Sequence, residues 1–454
     1  YFSGTCAEPE QRSLVLSSLI QSDDPVRVRL GVAGIGSMLN SGPFTSSFDP
    51  AFGGRRRDHG YGPRTRDDLA RWFRVGFGLV REVARTACEQ SEALGHRVGF
   101  AMRRIAALPE LHADLRETAA TIGGSTLARS AWLELCRSQS GGQVDGTSDQ
   151  RAILTELKGL LRPVTLIDRI RAFVGSWSDV ISFVLMPDDS DDDWGVRLAR
   201  VETEIRSLGS ALASDDEALR ILAPELVTGT LAQGFALGVG LAEGAREFSR
   251  PWDQLCAAFR RTSVSERNPS ILAGFLKGGS ARDPDWVERV LDAAAKDPTF
   301  AGVFVFLQIQ VLSGAAALTR LRSSVLAGQV PVAELNRLIY AGLHRTFDDD
   351  ELTSIMDALI ARDGGVAIAL GILEMRMLEP GRDAPSGHLL ACSSQALMRW
   401  EFAETDDSSR RAASKVAGLA LSTGRMDVAE VLCQRFVVWA KGSHGWLYQQ
   451  NDML

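Results

Sequence analysis

The sequence predicts an all-α protein: an α-solenoid of stacked antiparallel helix pairs, period about 34 residues, preceded by a helical N-terminal part. Three observations carry that prediction. Strand signals are nearly absent, with only 4 Tyr, few β-branched alternations and no Asn-Gly hairpin turn. Apolar residues recur at threes and fours along most of the chain, with Asp or Ser in front and Gly or Pro behind. A glycine–tryptophan pattern also returns at a fixed interval in the middle third.

Residues 1–40 read as a helix pair over 9–40. Its junction Asp23-Asp24-Pro25-Val26-Arg27 resembles the opening of a HEAT repeat helix, with a capping Asp and a Pro preset for the first turn. Residues 41–64 are rich in Gly, Pro and Ser and form a linker or loop. A helical domain follows over 65–186. It opens on an amphipathic helix with Asp67 and Asp68 at its positive end and Leu69, Trp72, Phe73, Val80 and Val83 on one face. Further helices fill 91–107, 109–121, 125–138, 149–161 and 164–185. Residues 187–195 are an acidic loop, 196–380 the helical repeats, and 381–454 a group of capping helices.

The repeat is the most specific signal. Gly240, Gly244 and Trp252 recur as Gly274, Gly278 and Trp286, each 34 positions on (240 to 274, 244 to 278, 252 to 286). Ala273-Gly274 returns as Ala341-Gly342. Val290–Ala293 matches Ile355–Ala358, and Gly302–Leu307 matches Gly365–Leu370. A residue without Cβ lets two helix backbones approach, and the Trp fills the groove of the next helix. Helices over 314–328, 331–345, 348–363 and 364–378 continue the stack, and 384–404, 408–423 and 426–441 end it.

Composition bounds the chemistry. The chain is 45% hydrophobic and 24% charged, with net charge −7 and pI ≈ 5.6, so nothing global favours nucleic acid or an anionic membrane. One stretch is basic: twelve Arg and six acidic residues lie between Arg55 and Arg104. Only Lys158, Lys277, Lys296, Lys415 and Lys441 are lysine among 50 basic residues, so Arg-richness is read as a coding bias. Cys6, Cys88, Cys136, Cys256, Cys392 and Cys433 show no zinc spacing, which fits a reducing cytoplasm. No signal peptide pattern opens the chain, and Leu226–Ala242 is too short and polar for a membrane span. The chain begins at Tyr1 rather than Met, suggesting a piece of a longer polypeptide.

No motif reaches a catalytic site, and no cofactor or metal is expected. Gly234, Gly238 and Gly240 have dinucleotide-loop spacing but follow a helix rather than a strand, so they read as packing glycines. Walker A, HExxH and GxSxG patterns are absent. Asp189, Asp191 and Asp193 alternate as calcium ligands do, yet Trp194 and Arg200 stand where that loop needs Gly and Glu. Asp348–Glu351 sits at a helix start. His59, His96, His112, His344, His388 and His444 have no mutual metal spacing, although His344 follows a repeat glycine. Arg55, Arg56 and Arg57 are the candidate contacts for an anion or a partner.

Gly238-x-Gly240-Leu241-Ala242-x-Gly244, Trp252, Ala273-Gly274-Phe275-Leu276 and Ala367–Leu373 resemble the C-terminal helical repeats of large bacterial STAND-type and related antiviral-defence proteins. The resemblance covers about 220–380. It implies a sensor or scaffold role, with catalysis in other modules. The expected function is therefore a non-catalytic, cytoplasmic protein-recognition scaffold that binds a protein partner or subunits of an assembly. Nucleic-acid binding by the Arg-rich stretch and an enzyme assembled only in three dimensions are the alternatives. No membrane is expected.

Overall fold

The computed structural model describes residues 7–40, 61–85, 91–137, 147–175, 194–229, 231–312, 314–379, 381, 384–401, 407–422, 424 and 426–442. Among these, every regular element is a helix, and the sole β feature is an isolated bridge between Thr228 and Arg267. Two compact units divide at Leu208/Gly209, and residues up to Gln233 after Thr230 belong with the first. The expected boundary at 187–195 lies outside the described residues except for Trp194 and Gly195, which open a helix that runs to Leu212.

The first unit holds α1 (Pro9–Ile20), α2 (Pro25–Met38), α3 (Arg66–Arg85), α4 (Ser91–Ile105), α5 (His112–Ile122), α6 (Thr126–Arg137), α7 (Ser148–Leu161) and α8 (Leu166–Val174), and most of α9 (Trp194–Leu212). The cap read at the α2 start is present, since Asp24 accepts from the Val26 N–H at 2.9 Å with Pro25 in the first turn. Through α6 the helices pack on the second one along: α1 on α3, α2 on α4, α3 on α5, α4 on α6, α5 on α7 and α6 on α8. In α3, Trp72, Phe73, Phe77, Val80 and Val83 are buried, and Trp72 donates its indole N–H to the Met38 carbonyl at 2.7 Å. Each such side chain stabilises the fold by roughly 1.5–3 kcal/mol through burial. Tyr61 stacks on Trp72 with ring centroids 5.9 Å apart, so the end of the expected linker is part of this core.

The second unit contains the end of α9, then α10 (Asp216–Leu226), α11 (Gly234–Gly244), α12 (Ser249–Arg261), α13 (Ser270–Ser280) and α14 (Pro284–Ala294). After these come α15 (Phe304–Gln308), α16 (Gly314–Leu326), three short turns α17 (Val332–Leu335), α18 (Arg337–Tyr340) and α19 (Leu343–Thr346), and then α20 (Asp349–Ile360). The unit closes with α21 (Gly365–Leu378), α22 (Gly387–Arg399), α23 (Asp407–Ser422) and α24 (Met426–Gly442). The second-neighbour rule holds here too: α10 on α12, α11 on α13, α20 on α22, α21 on α23 and α22 on α24. Such stacked pairs are consistent with an α-solenoid-like all-α fold.

One expected helix is corrected. Residues 331–345 form three short turns, and Gly342, with φ +76°, is the left-handed residue that parts the third from the second. Gly342 is therefore a turn glycine, and a Cβ there would meet nothing within 4 Å. It shares the Ala-Gly dipeptide with Gly274 but not the steric role. In that layer the close approach falls on Gly371 of α21, against the side chain of Ile339.

Candidate partner-binding groove

The repeat glycines and tryptophans belong to two different kinds of contact. On α11 and α13 the backbones touch. A Cβ on Gly274 would overlap the Phe235 carbonyl oxygen, and one on Gly238 would overlap that of Ile271. A Cβ on Gly278 would stand 2.7 Å from the Val239 carbonyl oxygen. One layer earlier, a Cβ on Gly244 would lie 2.6 Å from the Ser210 Cα, and Gly240 presents its carbonyl carbon to Gly209. Gly240 and Gly244 thus face α9 as Gly274 and Gly278 face α11. Two of these approaches, through Gly209 and Gly238, sit off the repeat interval. So does a third pair in the first unit, Gly95 and Gly99 of α4 against the Leu127 and Ala131 carbonyls of α6.

On α12 and α14 the contact is aromatic. Asp283 caps α14 by accepting from the Trp286 N–H at 2.9 Å, which sets the tryptophan on the first turn. Trp252 and Trp286 meet edge to face with centroids 6.0 Å apart. Phe275 of α13 lies 6.1 Å from the first ring and 5.9 Å from the second, and Phe248 lies 5.1 Å from Trp286. Below them Phe259 stacks on Phe300 at 5.6 Å.

Rings hold two helices further apart than glycines do, and a cleft of ≈ 360 Å³ opens between α12 and α14. Its floor is Trp252, Trp286, Val290 and Phe300, and its rims carry Asp253, Arg260, Arg289 and Asp297. Arg260 and Asp297 pair across it at 3.1 Å. Burial pushes the Asp297 carboxyl up, but hydrogen bonds from Thr299 and Arg260 outweigh it and hold its pKa below the ordinary carboxylate value. Exposed Asp253 and Arg289 make no ion pair with a described residue. An apolar floor between charges of both signs can seat an amphipathic segment. It offers no nucleophile–base pair.

A larger hollow of ≈ 650 Å³ is lined by Lys277, Ser280, Glu288, Gln310 and Gly314. Its one carboxylate, Glu288, is bound by Arg320 at 2.5 Å. Arg320 is buried and also holds Asp292 at 2.7 Å and the Gln308 side chain at 2.7 Å, so this wall is a structural network.

Other polar groups also have structural partners. Among the described residues no three of His, Cys, Asp and Glu could hold a metal ion, and no helix is long and apolar enough to cross a membrane. Burial pushes the Cys136 thiol up to about 11, and those of Cys256 and Cys392 to about 12. His344 is buried with its Nε2 3.9 Å from Glu379, which Arg345 also binds. Asp348 caps α20 as a capping box with Glu351, and its neighbour Asp349 binds Arg376 at 2.9 Å. Arg55, Arg56, Arg57 and the alternating Asp189, Asp191 and Asp193 lie outside the described residues.

Structure gives the arginines a role that composition had hidden. Arg66, Arg74 and Arg81 of α3 pair with Glu110, Asp114 and Glu117, and Arg71 pairs with Glu8 and Glu10. In the second unit, arginines cap helix C-termini one layer back. Arg282 donates to the carbonyls of Ala242, Glu243 and Ala245 at 2.5–3.0 Å and lies over the Phe248 ring at 5.0 Å. Arg362 reaches Val325, Gly328 and Val330, Arg399 reaches Ile360, and Arg435 reaches Trp400. At Arg362 both Nη groups are used, Nη1 donating to Val325 and Nη2 to Gly328 and Val330, whereas Arg282 turns Nη1 alone to its three carbonyls. In each case a positive charge sits at the negative end of a helix.

These features define, over the described residues, an all-α protein of stacked helix pairs with an aromatic-floored cleft. No family model, no curated protein and no solved structure matches the chain.

Proposed function

We propose that the chain is a non-catalytic protein-recognition scaffold, an α-solenoid with a repeat near 34 residues, whose α12–α14 cleft binds a segment of a partner protein. The observation that carries this reading is the pairing of an aromatic floor, Trp252 and Trp286, with exposed Asp253 and Arg289 on its rims. Aromatic anchors desolvated inside a charged rim are the arrangement that concentrates binding energy at protein interfaces. The resemblance to STAND-type repeats supports a cytoplasmic sensor role in a bacterial multidomain defence system. Pairing of Arg66, Arg71, Arg74 and Arg81 with carboxylates weakens the nucleic-acid alternative, since paired charges release few counterions from a phosphate backbone.

The test is selection of displayed peptides on the purified chain. Ala293 is exposed on the cleft wall, so Ala293→Arg fills the cleft without disturbing the core. Selection should enrich one amphipathic consensus, and Ala293→Arg and Arg289→Glu should each weaken its binding about tenfold or more at unchanged helicity. Peptides that bind Ala293→Arg as tightly as the parent, or nucleotide turnover by the pure chain, would refute the proposal.

A further inference from the structure

A second hollow, of ≈ 410 Å³, lies on the other side of α12, between that helix and α10. Ser214, Asp216, Arg246, Glu247, Arg250 and Pro251 line it. Ser249 and Asp253, one turn apart on α12, line the aromatic-floored cleft, whereas Arg250 and Pro251 face the second hollow. Only the first turn of α12, exposed at Ser249, Arg250 and Asp253, therefore separates the two, and both are formed wholly within the second unit. Their characters differ. The cleft has an apolar floor, while the second hollow is walled largely by charged groups, with Arg250 paired to Asp216 at 2.6 Å. Exposed Arg246 and Glu247 make no ion pair with a described residue.

Dimensions decide what can occupy them. A helix about 10 Å across fills roughly 800 Å³ over two turns, about twice the ≈ 360 Å³ of the cleft. The Arg260–Asp297 pair also bridges the cleft toward the C-terminal end of α12, at 3.1 Å. Side chains fit the cleft, and a helical backbone does not. The two hollows lie one helix apart, about 10–12 Å with side chains included. A chain extended at about 3.3 Å per residue covers that span in about three or four residues. On a helix, side chains at that spacing are only about 5–6 Å apart, too close to enter both.

We propose, on the reading that the α12–α14 cleft is the binding site, that the partner segment is bound extended and crosses the first turn of α12. One apolar side chain enters the cleft at Trp252 and Trp286. A polar side chain about three or four residues away enters the α10–α12 hollow, where Arg246 and Glu247 offer it a partner of either sign. The match of an apolar hollow beside a charged one selects a segment that changes character over that short distance.

The probe is the tightest peptide selected from a random display library on the purified chain, synthesised and titrated by fluorescence anisotropy. Ser214 is exposed on the wall of the second hollow, so Ser214→Tyr narrows it without touching the core, which unchanged helicity and melting midpoint will check. Ser214→Tyr should weaken the peptide about tenfold. A peptide cut between its two anchors to keep only the apolar one should bind more weakly and be indifferent to Ser214→Tyr. Proline placed between the anchors should change binding little, because an extended chain accepts it and a helix interior does not. Ala293→Arg should weaken the whole and the cut peptide alike. If Ser214→Tyr leaves the whole peptide unaffected, or proline abolishes its binding, while Ala293→Arg still weakens it, the crossing is overturned and the cleft stands. If Ala293→Arg has no effect, or no peptide is enriched, both fall together.

Discussion

Replacing Gly274 by Ala adds one methyl group at the tightest point of the α11–α13 contact. The new Cβ would overlap the Phe235 carbonyl oxygen and come within 3.1 Å of the Phe235 Cα. Both are backbone atoms, so no rotamer change relieves them and the helices must separate. Separation would also open the approaches at Gly238 and Gly278 on the same helix pair. Overpacking of this kind costs about 1–3 kcal/mol. Ala gains about 0.5–1 kcal/mol over Gly inside a helix, which leaves a net loss of roughly 1–2 kcal/mol. For a unit of this size that lowers the unfolding midpoint by roughly 2–8 °C. Two compact units need not melt together, so the midpoint should be paired with hydrogen exchange of the 234–280 amides, which should quicken. Gly159 is the control: it lies inside α7 with nothing within 4 Å of a Cβ, so Gly159→Ala should stabilise by about 0.5–1 kcal/mol. If Gly274→Ala raises the midpoint as the control does, the backbones do not touch there and the reasoning fails.

Further outcomes follow from the arginine caps and the thiols. Arg362→Lys should behave much like Arg362→Met, each costing about 1 kcal/mol and speeding exchange at the end of α16, because its three carbonyls are shared between two separated nitrogens, Nη1 and Nη2, and one ammonium nitrogen cannot stand in both places. Full rescue by Lys would show that charge alone matters. Peptide-resolved alkylation of the native chain near pH 8 should label exposed Cys433 and spare Cys136, Cys256 and Cys392 until unfolding. Burial favours the neutral form of these three thiols, so the folded chain binds more protons than the unfolded one above the ordinary thiol pKa of 9.0. Their contribution is whole below that value and is lost as pH rises through about 11 to 12, which should appear as a fall in the melting midpoint over that window.

What could be read from the sequence depended on how local the governing contact is. Helix starts at Asp24-Pro25 and Asp348 were legible because a cap and its N–H donor lie within three residues. Gly240, Gly244, Trp252 and their copies stood out because one layer makes the same steric demand as the next. Gly209 and Gly238 serve equally close approaches without a copy at the interval, since a helix has a different residue opposite each neighbour. Ala341-Gly342 looked like Ala273-Gly274 because a dipeptide does not reveal the sign of φ. Arg282, Arg362, Arg399 and Arg435 were hidden among many arginines. Their carbonyl partners lie 32–40 residues back, and only the stack brings them together.

The cleft follows from the same division of labour. Where α11 meets α13, glycine removes every side chain between two backbones, so no hollow can form and the helices are apolar almost all round. Where α12 meets α14, Trp252 and Trp286 keep the backbones apart, and an edge-to-face pair cannot fill a parallel-sided gap as a stacked pair would. The space left over is the ≈ 360 Å³ cleft. Its opening lies on the aromatic layer for a steric reason, and at depth Phe259 of α12 stacks on Phe300, in the turn that follows α14. Exchanging the two kinds of contact, with bulk at Gly274 and a small residue at Trp286, should therefore close the cleft as well as loosen the core, and peptide binding should be lost more completely than either stability change alone would produce.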